Sequence, residues 1–371
     1  MKFVKTLFTA SALAAAITGC SDTSVEDAPA AAQVAPSDAV KVGFVYVSPT
    51  GDAGWTHSHD QARKYVESQL GDKVETTYVE SVPEGADAER VIQNMASNGH
   101  NLIFTTSFGY MNPTLKVAKK FPNVKFEHAS GYKQADNMGS YFARPYQARY
   151  LSGLIAGSMT KSDVIGYVAA FPIPEVVRGI NAFTKGVQEV NPNAKVKVVW
   201  VSTWFDPAKE REAAETLILQ NADILTQHTD SAAVIQTAEA KGIYAIGYHS
   251  DMSEYGKKAH LTSAVHNWGP LYLEKVKAVM EGNWKKENLW IGIAEGATDL
   301  APISDAVPAD VKALVAKKKA ALKAGTMRVF DGPVKDQSGA VKVAEGATMS
   351  DGDLSGFNWY VEGVAGKLPK S

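Results

Sequence analysis

Short apolar runs alternate with amphipathic segments along most of this chain, and the alternation occurs in two successive series. The first series of predicted strands lies at residues 41–47, 74–79, 102–106, 124–128 and 138–142. The second series lies at residues 164–170, 196–201, 224–227 and 243–248. The stretches between these runs predict helices, and strands that alternate with helices are typical of parallel sheets built from βαβ units. The sequence therefore predicts an α/β fold with two lobes, each a mostly parallel sheet flanked by helices.

The length of the chain agrees with two lobes. Beyond the N-terminal segment roughly 330 residues remain, which is more than one hydrophobic core usually covers. We expect the first lobe to contain residues 40–145 and about 262–288, and the second lobe to contain residues from about 146 to 261 and 289–371. Segments that cross between the lobes would leave a cleft at the carboxyl ends of the two sheets, where open α/β sheets bind ligands.

The N-terminus has the pattern of a bacterial lipoprotein. Two lysines precede the apolar residues 7–17, and the small residues that follow end in Cys20, the single cysteine of the chain. This pattern predicts a lipoprotein signal peptide over residues 1–19, acylation of Cys20, and a flexible tether over residues 20–39. A cysteine that stands there by chance is the alternative. We expect a protein of the cell envelope that its lipid holds to the membrane, on the periplasmic side in a Gram-negative cell.

Charge balance and motif content argue against several functions. The chain carries 38 Lys and Arg against 40 Asp and Glu, so the clustered positive charge that nucleic acid binding needs is not expected. No GxSxG elbow, no GxxxxGK[ST] loop and no GxGxxG motif after a strand is found. We therefore expect neither an enzyme nor a cofactor, and a single cysteine allows no intramolecular disulfide.

Two neighbouring histidines, His57 and His59, invite comparison with metal sites because imidazole is a common metal ligand. Residues two apart on a helix point in different directions, and no HExxH, Cys or clustered carboxylate motif accompanies this pair. We therefore expect no metal site. His57 is expected beside the cleft and His59 at the surface.

The loop after the first predicted strand, residues 48–54, is the first candidate for ligand contact. Gly51 and Gly54 let the backbone approach a bound molecule closely, and the free amides of a helix start favour polar or anionic groups. Trp55 follows at the predicted start of a helix. The alternative is an ordinary strand-to-helix loop whose tryptophan packs into the core.

Five motifs in order along the chain resemble the basic membrane protein family of substrate-binding lipoproteins, which includes purine nucleoside receptors of ABC transporters. The motifs are GDAGWT at 51–56, ARYLSGLIAG at 148–157, IGYVAAFPIPEVVRGINAFTKGVQEVNP at 165–192, STWFDPAKE at 202–210 and LTSAVHNW at 261–268. The resemblance implies a two-lobed periplasmic binding protein of the first type, in agreement with the two series of strands. It also implies a small-molecule ligand in the cleft and an ABC permease as partner.

The resemblance further implies where the ligand lies. In nucleoside-binding members two aromatic side chains sandwich the purine, and the matching residues here are Trp55 and Trp204. Such members also read the base with polar side chains, and Thr56 and Asn112 stand at those positions. The amide of Asn112 offers a donor and an acceptor to the edge of a neutral heterocycle. Its alternative role is to cap the helix that is predicted to begin at Pro113.

Two positions depart from the nucleoside-binding pattern. Those members hold the ribose hydroxyls with an Asp and a Lys, whereas this chain has His249 in GYHSD and His266 in TSAVH. Asp251 closes the GYHSD loop, which is expected at the cleft. Because the usual clamp for a sugar diol is missing, we expect a purine base such as adenine or hypoxanthine, with a purine nucleoside as the alternative ligand.

The transport function has one alternative that uses the same residues. A sensor would present its ligand to a membrane receptor instead of a permease, and neighbouring genes rather than this sequence would distinguish the two. We expect a monomer, which is the simplest form for a protein that docks on a permease.

Overall fold

The structure is a computed structural model that describes residues 39–369. The predicted signal peptide, Cys20 and nearly all of the predicted tether lie outside the described residues. Within the described residues, no helix combines the length and the apolar character that crossing a bilayer requires.

The strands form two large sheets and one small hairpin. They are β1 Val40–Val45, β2 Val74–Val79, β3 Leu102–Thr105, β4 Lys125–Ala129, β5 Met138–Ala143, β6 Val164–Ala169, β7 Lys195–Trp200, β8 Ile224–His228, β9 Tyr244–His249, β10 His260–His266, β11 Asn288–Ile291, β12 Thr298–Leu300, β13 Val334–Lys335, β14 Val341–Val343 and β15 Val364–Ala365. The first sheet has the order β11-β5-β4-β3-β1-β2, and the second has the order β12-β10-β9-β8-β6-β7-β15. Neighbouring strands run parallel in both sheets, and β12 alone is antiparallel to its neighbour β10. The predicted fold class is confirmed.

Helices flank both sheets. They are α1 Trp55–Leu70, α2 Ala86–Ser97, α3 Met111–Lys120, α4 Pro145–Met159, α5 Pro174–Val190, α6 Pro207–Leu219, α7 Ala233–Lys241, α8 Gly269–Met280, α9 Ala309–Lys323 and α10 Asp351–Ser355. Apolar residues of α1 and α8 share one core with β1 and β3 in the first lobe. In the second lobe, α4 and α5 share a core with β6 and β7. These two helices pack so closely that a Cβ at Gly153 would lie 2.1 Å from the carbonyl oxygen of Phe183.

The chain returns to the first lobe later than the predicted boundaries place it. Strand β10, most of which was expected in the first lobe from about residue 262, pairs with β9 in the second sheet. The chain re-enters the first lobe after His266, where α8 packs on α1. It remains there through β11, which pairs with β5 and extends past the expected boundary at 288. A short apolar strand carries no local sign of the sheet that it joins, so the pattern could not fix these boundaries.

The C-terminal segment after α9 is built into the second lobe, where it was expected. Strand β15 extends the second sheet beside β7, and Phe330 and Phe357 join the core. The carboxylate of Asp351, at the start of α10, accepts hydrogen bonds of 2.7 and 2.6 Å from the guanidinium of Arg144. Because Arg144 lies where the chain first crosses between the lobes, the tail braces this crossing.

Candidate ligand-binding site

A cavity lies between the lobes at the carboxyl ends of the strands. The first lobe contributes residues that follow β1, β3 and β4, and the second contributes residues at the start of α5 and at the ends of β7, β8 and β9. The lining residues are Val47, Trp55, Ser107, Phe108, Ser130, Glu175, Trp204, His228, Asp230 and His249. We call this space the inner cavity. Open α/β sheets bind ligands at this edge.

Trp55 is the first residue of α1 and forms one wall of the inner cavity. It is 7% exposed, and its Nε1 donates a 2.6 Å hydrogen bond to the carbonyl oxygen of Thr106. Its ring meets those of His249 and Trp268 edge to face, at centroid distances of 5.3 and 5.9 Å. Trp55 therefore belongs to the core of the first lobe and also lines the inner cavity.

Trp204 lines the same cavity from the second lobe. It lies in the segment between β7 and α6, is partly buried, and meets Phe171 edge to face at a centroid distance of 5.0 Å. Its Nε1 is buried and has no hydrogen-bond partner among the described residues. The structure thus brings the two predicted tryptophans to one cavity.

Two carboxyl–imidazole pairs lie in the wall of the inner cavity. An oxygen of Glu175 is 3.5 Å from Nε2 of His228, and an oxygen of Asp230 is 3.4 Å from Nε2 of His249. Burial lowers the pKa of His228 and of His249, and burial together with the charge of Glu210 raises the pKa of Asp230 well above its usual range. The imidazoles are therefore neutral near pH 7, and a neutral Asp230 can donate as well as accept a hydrogen bond.

Glu175, His228 and Asp230 were not identified by the sequence analysis. The signal that could have found two of them is their position, because His228 and Asp230 directly follow the predicted strand at 224–227. Residues in that position face the cleft in a parallel sheet. Glu175 follows the strand β6 at the start of α5, and a comparable argument applies to it.

Of the two predicted histidines, His249 lines the inner cavity and His266 lies behind it. Nε2 of His266 is 3.2 Å from Nδ1 of His249, and the two rings stack at a centroid distance of 5.3 Å. Burial lowers the pKa of His266 to about 3. The backbone of His249 has φ of 70°, a left-handed conformation that is uncommon for a residue with a side chain.

The lobes touch at one end of the inner cavity. Oγ of Ser48 donates a 3.2 Å hydrogen bond to Asp230, and the amide of Gly54 donates a 3.0 Å hydrogen bond to Oγ of Ser250. Gly54 has φ of 99°, and a Cβ at this position would lie 2.0 Å from the carbonyl oxygen of Asp230. Only glycine permits this approach, so the structure represents lobes that are closed at this end.

Besides His266, three predicted site residues do not line the inner cavity. Thr56 is buried, and its Oγ1 is 2.7 Å from Oγ of Ser48. Asn112 is exposed on α3 and accepts a 2.8 Å hydrogen bond from Lys133, and because α3 already begins at Met111, Asn112 is not its N-cap either.

The third of these residues, Asp251, is exposed, and its carboxylate accepts a 2.9 Å hydrogen bond from the amide of Ser253. This bond lies within the loop after β9. Asp251 therefore stabilises the loop that carries His249 rather than facing the inner cavity.

The histidines near Trp55 have a structural arrangement. His59, expected at the surface, is fully buried, since its Nδ1 is 2.5 Å from the hydroxyl of Tyr272 and its ring stacks on Trp268 at 5.1 Å. His57 is partly buried and pairs with the carbonyl oxygen of Gly51 at 3.0 Å. Across residues 39–369, no three His, Cys, Asp or Glu side chains are grouped as metal ligands would be.

The two-lobed fold and the position of the inner cavity are those of the periplasmic binding protein type. Residues 39–326 match the model of the Bmp family, described as ABC transporter substrate-binding protein PnrA-like. The chain belongs to this family, as its motifs predicted.

Relatives agree with the assignment. A purine-binding protein of Brucella abortus is 54% identical over 331 residues, which cover 89% of this chain and 94% of the relative. A provisionally named ABC transporter glucose-binding protein of Haloferax volcanii is 39% identical over 332 residues, covering 90% and 82%. A solved ABC transporter solute-binding protein from Conexibacter woesei matches with a TM-score of 0.65 at 24% identity, covering 78% of this chain and 98% of that one. The protein is therefore a substrate-binding protein and not an enzyme.

Proposed function

We propose that this protein is the lipid-anchored binding protein of an ABC importer and that its ligand is a purine base such as adenine or hypoxanthine. The observation that carries the proposal is that Trp55 and Trp204, one from each lobe, line the same small cavity. A flat heterocycle between two indole rings gains stacking energy on both faces, about 1–3 kcal/mol for each stacked base. The tryptophans would hold the plane of the base.

The polarity of the inner cavity supports a base. Neutral His228 and His249 with the carboxyl groups of Glu175 and Asp230 supply both donors and acceptors, which the edge of an uncharged purine requires. A purine nucleoside is the second candidate, and it would need room for its ribose beside His249.

The relatives support a purine and define the competing ligand. The Brucella abortus relative is named for purine binding, and it shares more than half of its aligned residues with this chain. The Haloferax volcanii relative is named for glucose binding, so sugars belong in any ligand screen. A sugar offers hydroxyl groups but has no aromatic face. It is therefore a weaker match than a purine to two tryptophan rings.

Closure of the lobes would couple binding to transport. The contacts of Ser48 with Asp230 and of Gly54 with Ser250 join the lobes beside the inner cavity. A ligand held between Trp55 and the second lobe favours this closed state, and closure changes the relation of the two outer surfaces that a permease contacts. An acylated Cys20 would keep a monomer of the protein next to its permease. A membrane receptor in place of a permease is the alternative partner.

A thermal-shift screen tests the ligand. The protein without residues 1–19 is heated with purine bases, nucleosides, sugars and metal ions, because a ligand that binds the folded state raises the melting temperature. We expect adenine or hypoxanthine to give the largest shift. A larger shift with nucleosides would favour the second candidate, and a shift with glucose alone would overturn the purine proposal.

The lipid anchor has a separate test. When the full chain is expressed in bacteria, we expect it in the membrane fraction, and the Cys20→Ser variant should move to the soluble envelope fraction. Unchanged membrane association of the variant would overturn the anchor without affecting the ligand.

A further inference from the structure

A second, larger cavity adjoins the inner cavity. The two share Phe108, Ser130 and Glu175 in their walls. We call the second space the outer cavity. Its other walls are largely apolar and include the aromatic rings of Phe142 and Trp290. A ligand in the inner cavity can therefore extend into the outer cavity only past the three shared residues.

Around Asp230 and His249, in contrast, the wall of the inner cavity is closed. Asp230 is 3% exposed and His249 is 2% exposed. Ser48 donates to Asp230, and the backbone of Gly54 lies directly against it. Neither Asp230 nor His249 lines the outer cavity. A ligand atom next to this pair has no space for a substituent.

Glu175 has the geometry to select the position of a substituent. It lies in the first turn of α5, and its side chain is 14% exposed. Its carboxyl group can accept a hydrogen bond from an N–H group of the ligand. A secondary amine retains one N–H after it has gained a substituent. The same nitrogen can therefore donate to Glu175 and direct its substituent into the outer cavity.

The walls of the outer cavity indicate the chemistry of that substituent. Trp290 and Phe142 offer aromatic faces, and Tyr132 stands at the border of the cavity with 67% of its surface exposed. The guanidinium of Arg178 lies 4.8 Å from the centre of the Trp290 ring and donates to the carbonyl oxygen of Leu354, while its Nε has no partner among the described residues. Because apolar and aromatic side chains form most of its walls, the outer cavity fits an apolar or aromatic group.

We propose that the outer cavity is a subsite for an apolar or aromatic substituent on the exocyclic amine of the purine, so that adenines substituted at N6 are ligands. The proposal rests on the purine-base function above. In this orientation the exocyclic amine lies at Glu175, and the ring nitrogen N9 lies beside Asp230 and His249. The inner cavity is closed there, so a substituent on N9, such as the ribose of a nucleoside, is rejected.

Two isomers with the same substituent test this proposal. N6-benzyladenine and 9-benzyladenine are titrated calorimetrically into the full chain, with adenine as the reference. We expect N6-benzyladenine to bind with a Kd within about tenfold of that of adenine. A benzyl group at N9 should weaken binding about 100-fold, because it has to displace packed groups of both lobes. Equal binding of the two isomers, or rejection of N6-benzyladenine by a protein that binds adenine, would overturn the subsite and leave the purine function intact. Absence of binding by adenine, with hypoxanthine still bound, would overturn the subsite alone, and absence of binding by both bases would overturn the purine function as well.

Substitution of Tyr132 locates the substituent. Tyr132→Ala should weaken N6-benzyladenine at least about threefold through loss of an aromatic contact, and it should leave adenine unchanged. Tyr132→Phe keeps the ring and should bind both ligands as the unaltered protein does. An equal loss of adenine and N6-benzyladenine in Tyr132→Ala, or no loss of either, would contradict the placement of the substituent in the outer cavity.

Discussion

Trp55 and Trp204 line the same cavity, but the lobes hold them in different ways. Trp55 is 7% exposed, has its indole N–H bonded to Thr106, and is surrounded by the rings of the first-lobe core. Trp204 is only partly buried, and its indole N–H has no partner within the described residues. The first tryptophan is fixed by the fold before any ligand arrives. Trp204 becomes more completely surrounded when a ligand fills the inner cavity.

Because of this contrast, we expect Trp55 to affect mainly the stability of the fold and Trp204 to affect mainly ligand binding. A side chain that is part of a lobe core contributes to the free energy of unfolding whether or not a ligand is present. A partly buried wall residue such as Trp204 should contribute more to the complex with its ligand than to the free energy of unfolding. The following substitutions test whether Trp55 affects the free energy of unfolding and Trp204 affects ligand binding.

The largest effect is expected for Trp55→Ala. It removes a buried indole and its hydrogen bond, so the free energy of unfolding should fall by about 3–5 kcal/mol even without ligand. Urea denaturation of the ligand-free protein measures this loss. Trp55→Phe should recover part of it, and an unchanged midpoint in Trp55→Ala would show that Trp55 is not a core residue.

Trp204→Ala should affect binding more than stability. The loss of one stacking face should weaken purine binding more than about tenfold, whereas the midpoint of urea denaturation should move far less than in Trp55→Ala. Calorimetric titration with adenine measures the first effect, and Trp204→Phe serves as the control that keeps an aromatic face. An unchanged Kd in Trp204→Ala would remove this residue from the site.

A third substitution tests whether first-lobe stability can change without any change in binding. Burial raises the pKa of Glu127 to about 7, and Nε1 of Trp284 donates a 2.8 Å hydrogen bond to its carboxyl group. The folded protein therefore retains this proton above the usual pKa of 4.5. The stability linked to the proton is complete below about pH 4.5 and is lost as the pH rises through about 7.

Glu127→Gln should therefore raise the melting temperature at pH 8 relative to the unaltered protein, and less so at pH 5. The expected gain at pH 8 is about 1 kcal/mol, since glutamine also forfeits the attraction of the nearby Lys275. Adenine binding should not change. A larger gain at pH 5 than at pH 8 would show that Glu127 is ionised in the folded protein.

The smallest effects are expected where the sequence and the structure disagree about the site. Asn112→Ala and Asp251→Ala alter exposed residues that do not line the inner cavity, and each should change the Kd for adenine less than about twofold. A loss of tenfold in Asn112→Ala would mean that α3 moves toward the ligand on binding.

The fold was predictable because its signal is local. Short apolar runs such as 164–170 and the helical segments between them carry the order of strands and helices, and they recur in the structure with small shifts at their ends. Membership of a sheet is not local, so β10 and β11 were placed at the wrong side of the boundaries. Strand β15 was not predicted, because it has two residues and acquires its place only by pairing with β7.

The candidate site was predictable only in part. The motifs pointed to Trp55, Trp204 and His249, and these residues line one cavity because the loops at the carboxyl ends of parallel strands converge. Two other expectations were wrong because the side on which a helix places a residue was not known. Asn112, expected at the ligand, faces solvent from α3, and His59, expected at the surface, faces the core from α1. The position of Asp230 after the predicted strand at 224–227 could have placed it at the cleft, but its contact with Ser48 of the other lobe is not recorded in any single segment of sequence.

The central claim is that a purine base lies between Trp55 and Trp204, and a crystal structure of the protein grown with adenine tests it most directly. We expect density for the base in the inner cavity, parallel to both indole rings and within hydrogen-bonding distance of Glu175 or Asp230. Density for adenine at any other place, or a base that contacts neither tryptophan face, would contradict the placement of the purine between Trp55 and Trp204.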